Sequence, residues 1–227
     1  MSTRRRLALG AIALVGIEAL LVHQGRTYGS TPTERRDPFP GDDLVTAPDV
    51  VTTHAITIDA PPASVWPWLI QMGWGRAGWY TARWVDLLLF PANGPSADRI
   101  LTEWQGLAEG DHVPDGPPET DCGFVVAQLQ KGRALVLRSD SHLPKHWREQ
   151  EWARLDWSWA FVLRPLDGAT RTRFLFRSRW TTRPWWLTLG AHLLVVPADL
   201  VMSRSMLRGV RARAEALHKR QAGRVSD

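Results

Sequence analysis

The sequence has one cysteine, Cys122, so it can form no internal disulfide, and cysteine usage leaves the redox compartment open. A small, buried residue at a strand start describes Cys122 better than a nucleophile does. Zinc-finger spacings, a Gly-rich phosphate loop and RNP-type motifs are missing, and no nucleic-acid module is expected. There is no serine nucleophile elbow and no recognisable Ser/His/Asp arrangement. A net charge on the body of the chain is lacking too. From Ser203 onward seven Arg and Lys residues stand against two acids, which accounts for the net charge of +5. A basic helix end of this kind is more often a solvated face than a contact with lipid or nucleic acid.

Long apolar runs are few. The first, Leu7 to Val22, follows Arg4, Arg5 and Arg6. At ~1.5 Å per residue it covers roughly 24 Å, slightly less than a hydrocarbon core of ~30 Å. Glu18 lies near one end of it, where the interface tolerates a charge, and no A-x-A cleavage site follows. The expectation is an uncleaved signal anchor with its arginines in the cytoplasm and the remainder outside, that is, a single-pass membrane protein. A second run, Trp185 to Met202, is long enough to be another span. The expectation is instead a single span, with a short apolar stretch at the interface, Trp185 and Trp186 near the membrane surface, ahead of a helix that starts near Pro197 and Asp199.

What is abundant is tryptophan, 13 in 227 residues with 44% hydrophobic residues overall. Tryptophan favours cavity walls, interfaces and membrane boundaries. The organisation read from composition is an anchor over residues 1–26, a Pro/Gly/Thr-rich linker arm over 27–50, a folded domain over 51–220 and a tail over 221–227.

Within the domain, TTHAITIDA alternates as a strand, with His54, Ile56 and Ile58 on one face. A helix capped by Asp59 carries Val65, Trp66, Leu69 and Ile70 and ends at Gly73. Thr81 to Phe90 predicts a short helix, amphipathic around Trp84, Leu87 and Leu88. Five strand signals follow, near Asp111, Gly123, Arg133, Arg154 and Thr170. In the last two, Leu155, Trp157, Trp159, Phe161 and Leu163 share a face, and Phe174, Phe176 and Trp180 oppose Arg171, Arg173, Arg177 and Arg179. One apolar and one charged face predict an antiparallel sheet with water on one side. A C-terminal amphipathic helix carries Leu200, Ser203, Leu207, Val210, Ala214 and Leu217 as its inner stripe. This order predicts an α+β fold in which a curved antiparallel sheet wraps the last helix.

Residues 51 to 217 resemble the SRPBCC superfamily of START-like, helix-grip proteins, in particular an uncharacterised actinobacterial-type branch described as polyketide cyclase/dehydrase and lipid transport-like. The stretches that carry the resemblance are ITIDAPPASVWPWLIQMG (Ile56–Gly73), GRAGWY (Gly75–Tyr80), SADRI (Ser96–Ile100), Gly110–Asp111, GRALVLR (Gly132–Arg138), SWAFVL (Ser158–Leu163) and VMSRSMLRGVRARAE (Val201–Glu215). The superfamily hosts binding, transfer and catalysis on one scaffold, so it implies the fold more sharply than the function.

The resemblance implies that WPWLIQMGWGRAGWY, Trp66 to Tyr80, forms a rim over a cavity mouth. Trp79, Tyr80 and Trp84 then wall an apolar pocket, and Arg76 meets a carboxylate or enol at its entrance. With Asp111 and the strand residues Trp157, Trp159 and Phe161 these make up the candidate ligand-binding set. Plain packing is the alternative for the tryptophans, and Arg76 also suits bridging helix carbonyls or pairing with Asp86 or Asp111. His142 and His146 have metal-like spacing, but Pro144 between them argues for a loop; no metal, cofactor or catalytic residue is assigned. His54 reads as a satisfied core or sheet-edge histidine rather than a buried base.

The expected function is a membrane-tethered binding protein for a lipid-like or polyketide-like molecule held between sheet and helix. A cyclase- or dehydratase-like cavity enzyme and an aromatic-rich interaction domain at the membrane are the alternatives. A polar cluster deep in the cavity would favour the enzyme. Oligomeric state is left open.

Overall fold

The structure, a computed structural model, describes the backbone of residues 3–226 and the side chains of Arg5 and residues 16–224. The chain opens with α1 (Thr3–Thr27) and α2 (Pro32–Arg36), then enters β1 (Val50–Ile58), α3 (Pro62–Ile70) and α4 (Arg83–Leu89). Three strands follow, β2 (His112–Pro114), β3 (Gly123–Gln130) and β4 (Ala134–Ser139), with α5 (Lys145–Glu149) after them. The two cleanest alternations become the longest strands, β5 (Arg154–Leu166) and β6 (Arg171–Arg183). The chain ends in α6 (Trp185–Gly190), a π turn over Ala191–Val195, and α7 (Val196–Ser226).

All six strands pair antiparallel in the order β1-β6-β5-β4-β3-β2. The hairpin of β5 and β6 sets Phe161 opposite Phe176 and Trp157 opposite Trp180. In β3 the register shifts between Val126 and Gln128, a bulge of the kind that bends a sheet. α7 lies across the apolar face, with Met206, Leu207, Val210 and Ala214 fully buried against the sheet and α3. This is the helix-grip, α+β arrangement that the element order predicts. By length and composition a stretch of the continuous helix Trp185–Arg224 could cross a membrane. Its α7 portion is nonetheless occupied by the grip.

Three local expectations are corrected. Pro61, not Asp59, stands at the start of α3, and Asp59 instead accepts from Arg171 Nε at 2.7 Å. α3 also stops at Ile70 rather than Gly73; Gly73 takes φ +132° and pairs with Gly78 across a tight loop. In α4 the apolar stripe faces outward. Trp84, Leu87 and Leu88 are exposed, while Val85 and Asp86 are buried, because Asp86 accepts from Thr81 Oγ1 in the interior.

The fourth correction concerns the sheet's charged face, which is covered by residues 28–50. Arg177 is 3% exposed there. It donates to Asp42 Oδ2 at 2.7 Å and to the carbonyls of Glu34, Arg35 and Asp37, with its guanidinium 3.8 Å from the centre of the Phe39 ring. Arg173 forks onto both oxygens of Glu34 at 2.7 and 2.9 Å, which holds that carboxyl down at about 2. Arg179 donates to the Val45 carbonyl. The arm therefore supplies oxygen atoms to arginines that alternate along β6.

His54 joins the N-terminal helix to this assembly. It is fully buried, and its Nε2 donates to the Gly25 carbonyl at 2.6 Å while Nδ1 has no partner, so it is a core histidine satisfied at one ring nitrogen only. Burial holds its pKa down to about 4, opposed by that hydrogen bond. The residues of the expected anchor at 6–15 lie outside the described side chains; beyond them Ile17, Leu20 and Leu21 are exposed.

Arg177→Ala is expected to lower unfolding stability by about 3 kcal/mol, since it takes the nearer of two guanidinium partners from Asp42 and a donor from three carbonyls under the arm. Chemical denaturation of the full chain in detergent measures this. A loss no larger than that of the exposed control Arg154→Ala would mean the arm is held by something else.

Candidate functional site

A cavity of about 410 Å³ lies between the sheet and the start of α7. Strand alternation aims Trp157 and Trp159 of β5 into it, and Trp180 reaches it from β6 in direct register with Trp157. Trp79 closes the wall with its ring edge-on to Trp159 at 5.3 Å. Leu89 and Phe90 from the end of α4 line one side, and Leu194 and Val195 from the π turn line another. Met202 and Asp199 complete the α7 wall.

Asp199 is there because positions 196, 199, 203, 207, 210 and 214 recur on one helical face, and that face is gripped. Ser203, one turn on, donates to Asp199 Oδ1 at 3.1 Å. The other oxygen, Oδ2, is buried without a hydrogen-bond partner, and so are the indole N–H groups of Trp79, Trp159 and Trp180. The Trp157 N–H is satisfied by Ser178 Oγ at 2.6 Å. Burial pushes the Asp199 carboxyl up to about 7, with the Ser203 hydrogen bond opposing.

Across the cavity His142 is held from both ring nitrogens. Nε2 lies 3.0 Å from Asp115 Oδ2 and Nδ1 2.7 Å from Ser139 Oγ, and the ring packs on Phe124 and Trp157. Its expected companion His146 sits on α5 against Trp147 and Trp152. Among the described residues no group of three or more His, Cys, Asp or Glu could hold a metal ion.

Of the residues read from the sequence, Trp79, Trp157 and Trp159 come together in this cavity. Phe161 is fully buried one layer deeper, stacked on Phe176 at 4.9 Å. Tyr80 is fixed by packing: its hydroxyl donates to the Trp68 carbonyl and accepts from Gln71 Nε2, both at 2.9 Å. α7 passes so close here that a Cβ on Gly209 would stand 1.9 Å from the Tyr80 carbonyl oxygen. Trp84 lies instead in an open groove of about 720 Å³ beside Arg204 and Arg208 of α7.

Arg76 is outside the cavity. It donates to the Ile70 carbonyl at 2.7 Å, closing the end of α3, and lies 4.7 Å from the centre of the Trp104 ring. Asp111 is exposed and accepts from the Ala108 N–H at 2.8 Å. Cys122 is half-buried immediately before β3.

The sequence reading passed over Trp180, Asp199, His142, Asp115 and Met202 as lining residues. Alternation already placed Trp180 with Phe174 and Phe176. For Asp199 the signal was its four-residue spacing to Ser203, a second polar residue in the apolar stripe. Asp115 and His142 meet through loops, which no period reveals.

No family model and no curated protein matches the chain. Solved structures similar to it include a hypothetical protein of Helicobacter pylori, 14% identical over 78% of this chain and 95% of that one, with a TM-score of 0.47. A protein of Deinococcus radiodurans is 19% identical over 74% and 98%, with a TM-score of 0.34. A norcoclaurine synthase point mutant of Thalictrum, in complex with a transition state analogue, is 11% identical over 71% and 93%, with a TM-score of 0.38. At this level of similarity the architecture rests on the strand order and the gripped helix described above.

A carboxyl raised by burial keeps a proton that the unfolded chain gives up, so its contribution to stability falls as pH rises from about 4 through 7. Asp199→Asn is expected to match the wild type at pH 4 and to exceed it at pH 8, by roughly 2 kcal/mol. Urea unfolding at both pH values measures the difference. A variant with no gain at pH 8 would show that the carboxyl is not desolvated.

Proposed function

We propose that this chain is a membrane-tethered binding protein for a hydrophobic small molecule held between the sheet and α7. The observation that carries the reading is the tryptophan-walled cavity of about 410 Å³, within the roughly 300–1,000 Å³ that small-molecule sites occupy. The resemblance of residues 51–217 to the polyketide cyclase/dehydrase and lipid transport-like branch of SRPBCC proteins supports a lipid-like or polyketide-like ligand. The tether is α1, with Arg4, Arg5 and Arg6 on the cytoplasmic side and the domain outside.

Support for membrane contact comes from apolar side chains left in solvent. Ile17, Leu20 and Leu21 of α1 are exposed, as are Trp185, Leu189 and Leu194 before α7. Leu194 is 72% exposed and also lines the cavity, so on this reading the cavity opens at the membrane surface.

One observation favours the second reading, a cavity enzyme of the cyclase or dehydratase kind. Asp199 is a carboxyl poised near neutrality in an apolar pocket, the condition a general acid or base requires.

Native mass spectrometry of the full chain, purified from its own host in a mild detergent, tests the binding reading. A co-purifying apolar molecule is expected in the wild type and in Arg76→Ala. It should be absent from Ala198→Phe, which places a ring in the cavity. Equal loading of Ala198→Phe and wild type would place the ligand elsewhere and sink the proposal.

A further inference from the structure

Three features of the cavity bear on what its ligand carries. The first is an unsatisfied acceptor. Asp199 is fully buried, Ser203 occupies one of its oxygens, and Oδ2 has no partner. A buried acceptor of this kind is stabilised by any ligand that brings a hydrogen-bond donor to it. The second is a set of unsatisfied donors, the indole N–H groups of Trp79, Trp159 and Trp180, the last two from neighbouring strands of the sheet. The third is a shortage of positive charge. Among the described residues no Arg or Lys lines the cavity, and the other titratable groups there, Asp115 and His142, face each other at 3.0 Å.

We propose that the cavity takes an apolar alcohol or phenol, seated with its hydroxyl on Asp199. The inference rests on the binding reading above and adds the chemistry of the ligand's head. A hydroxyl donates one hydrogen bond and accepts two, so it offers Asp199 Oδ2 a donor and the indole N–H groups an acceptor in a single head group. A fatty acid or phosphate fits badly, because its charge would meet Asp199 with no counter-ion on any wall. An alkylammonium answers Asp199 but accepts nothing, leaving all three indole N–H groups unpaired. The tail then lies along Trp157, Trp159 and Met202 toward Leu194 and Val195, where the wall is apolar.

Ligand binding and the protonation of Asp199 are linked with a definite sign. A hydroxyl hydrogen bond is stronger to a carboxylate than to a carboxylic acid, so affinity for an alcohol rises as pH rises through 7. Affinity for a carboxylate falls over the same interval, since two negative charges are brought together.

The test is equilibrium binding of radiolabelled 1-decanol, decanoic acid and decylamine to the full chain in amphipol, with protein-free amphipol subtracted, at pH 6 and pH 8. The expected result is that decanol binds at least tenfold more tightly than decanoic acid at pH 8, and more tightly than it does itself at pH 6. Asp199→Leu should lose tenfold or more for decanol while decanoic acid gains, which shows that the cavity is still formed. Asp199→Asn should retain decanol and lose the pH dependence. Decanoic acid binding as well as decanol at pH 8 would overturn the proposal, and so would unchanged decanol affinity in Asp199→Leu. Preference for decylamine would overturn the hydroxyl assignment and make the site a cation cage. If wild type and Ala198→Phe bind all three probes equally, the cavity reading fails along with this one.

Discussion

Arg177 is the constraint on which the outer half of the molecule depends. Its side chain is buried beneath a segment with no regular strand to join, and it answers that segment's backbone with hydrogen bonds to three carbonyls and the Asp42 carboxylate. Burial works against the charge, and Asp42 works for it. With the arm laid down in this way, the end of α1 follows. His54 takes the Gly25 carbonyl, and Gly25 approaches Val196 so closely that a Cβ there would fall 2.7 Å from its Cγ1. Val196 begins α7 and is fully buried, so the arm, the sheet and the gripping helix are located by one connected set of contacts.

The cavity is what remains where α7 enters the grip. Farther along, Met206, Leu207 and Val210 fill the space between helix and sheet completely. Near residue 199 the sheet offers the large flat rings of Trp157, Trp159 and Trp180, and Trp157 and Trp159 meet edge to face at 5.1 Å. Edge-to-face rings leave gaps that close packing of aliphatic chains does not. A carboxyl on that stretch is taken out of water, which is why its proton affinity rises. The apolar wall that raises Asp199 also decides which ligand heads the cavity can accept.

The sheet and the last helix were legible because their periods are long and clean. In β5 Leu155, Trp157, Trp159, Phe161 and Leu163 fall on every second position, and the α7 stripe repeats over five turns. Periodicity reports which face is buried, but not by what. On β6 it marked Arg173, Arg177 and Arg179 as the polar face and water as its neighbour, whereas an irregular segment some 135 residues away covers it. In α4 the stripe of Trp84, Leu87 and Leu88 was read correctly as a stripe and assigned to the wrong side, because a buried hydrogen bond from Thr81 to Asp86 outweighs the pattern in so short a helix. The aromatic and glycine-rich run from Trp66 to Tyr80 divides in the same way. Trp79 reaches the cavity, Tyr80 and Trp68 pack on each other, and Arg76 caps α3.

The arm has a further consequence for how the chain assembles. It is made before any strand of the sheet, yet its main anchor, Arg177, is made near the end, so the two can meet only when almost the whole domain has been synthesised. β1 shares the delay, since its one partner is β6. Contacts this distant in sequence are slow to form and leave early segments exposed in the interim.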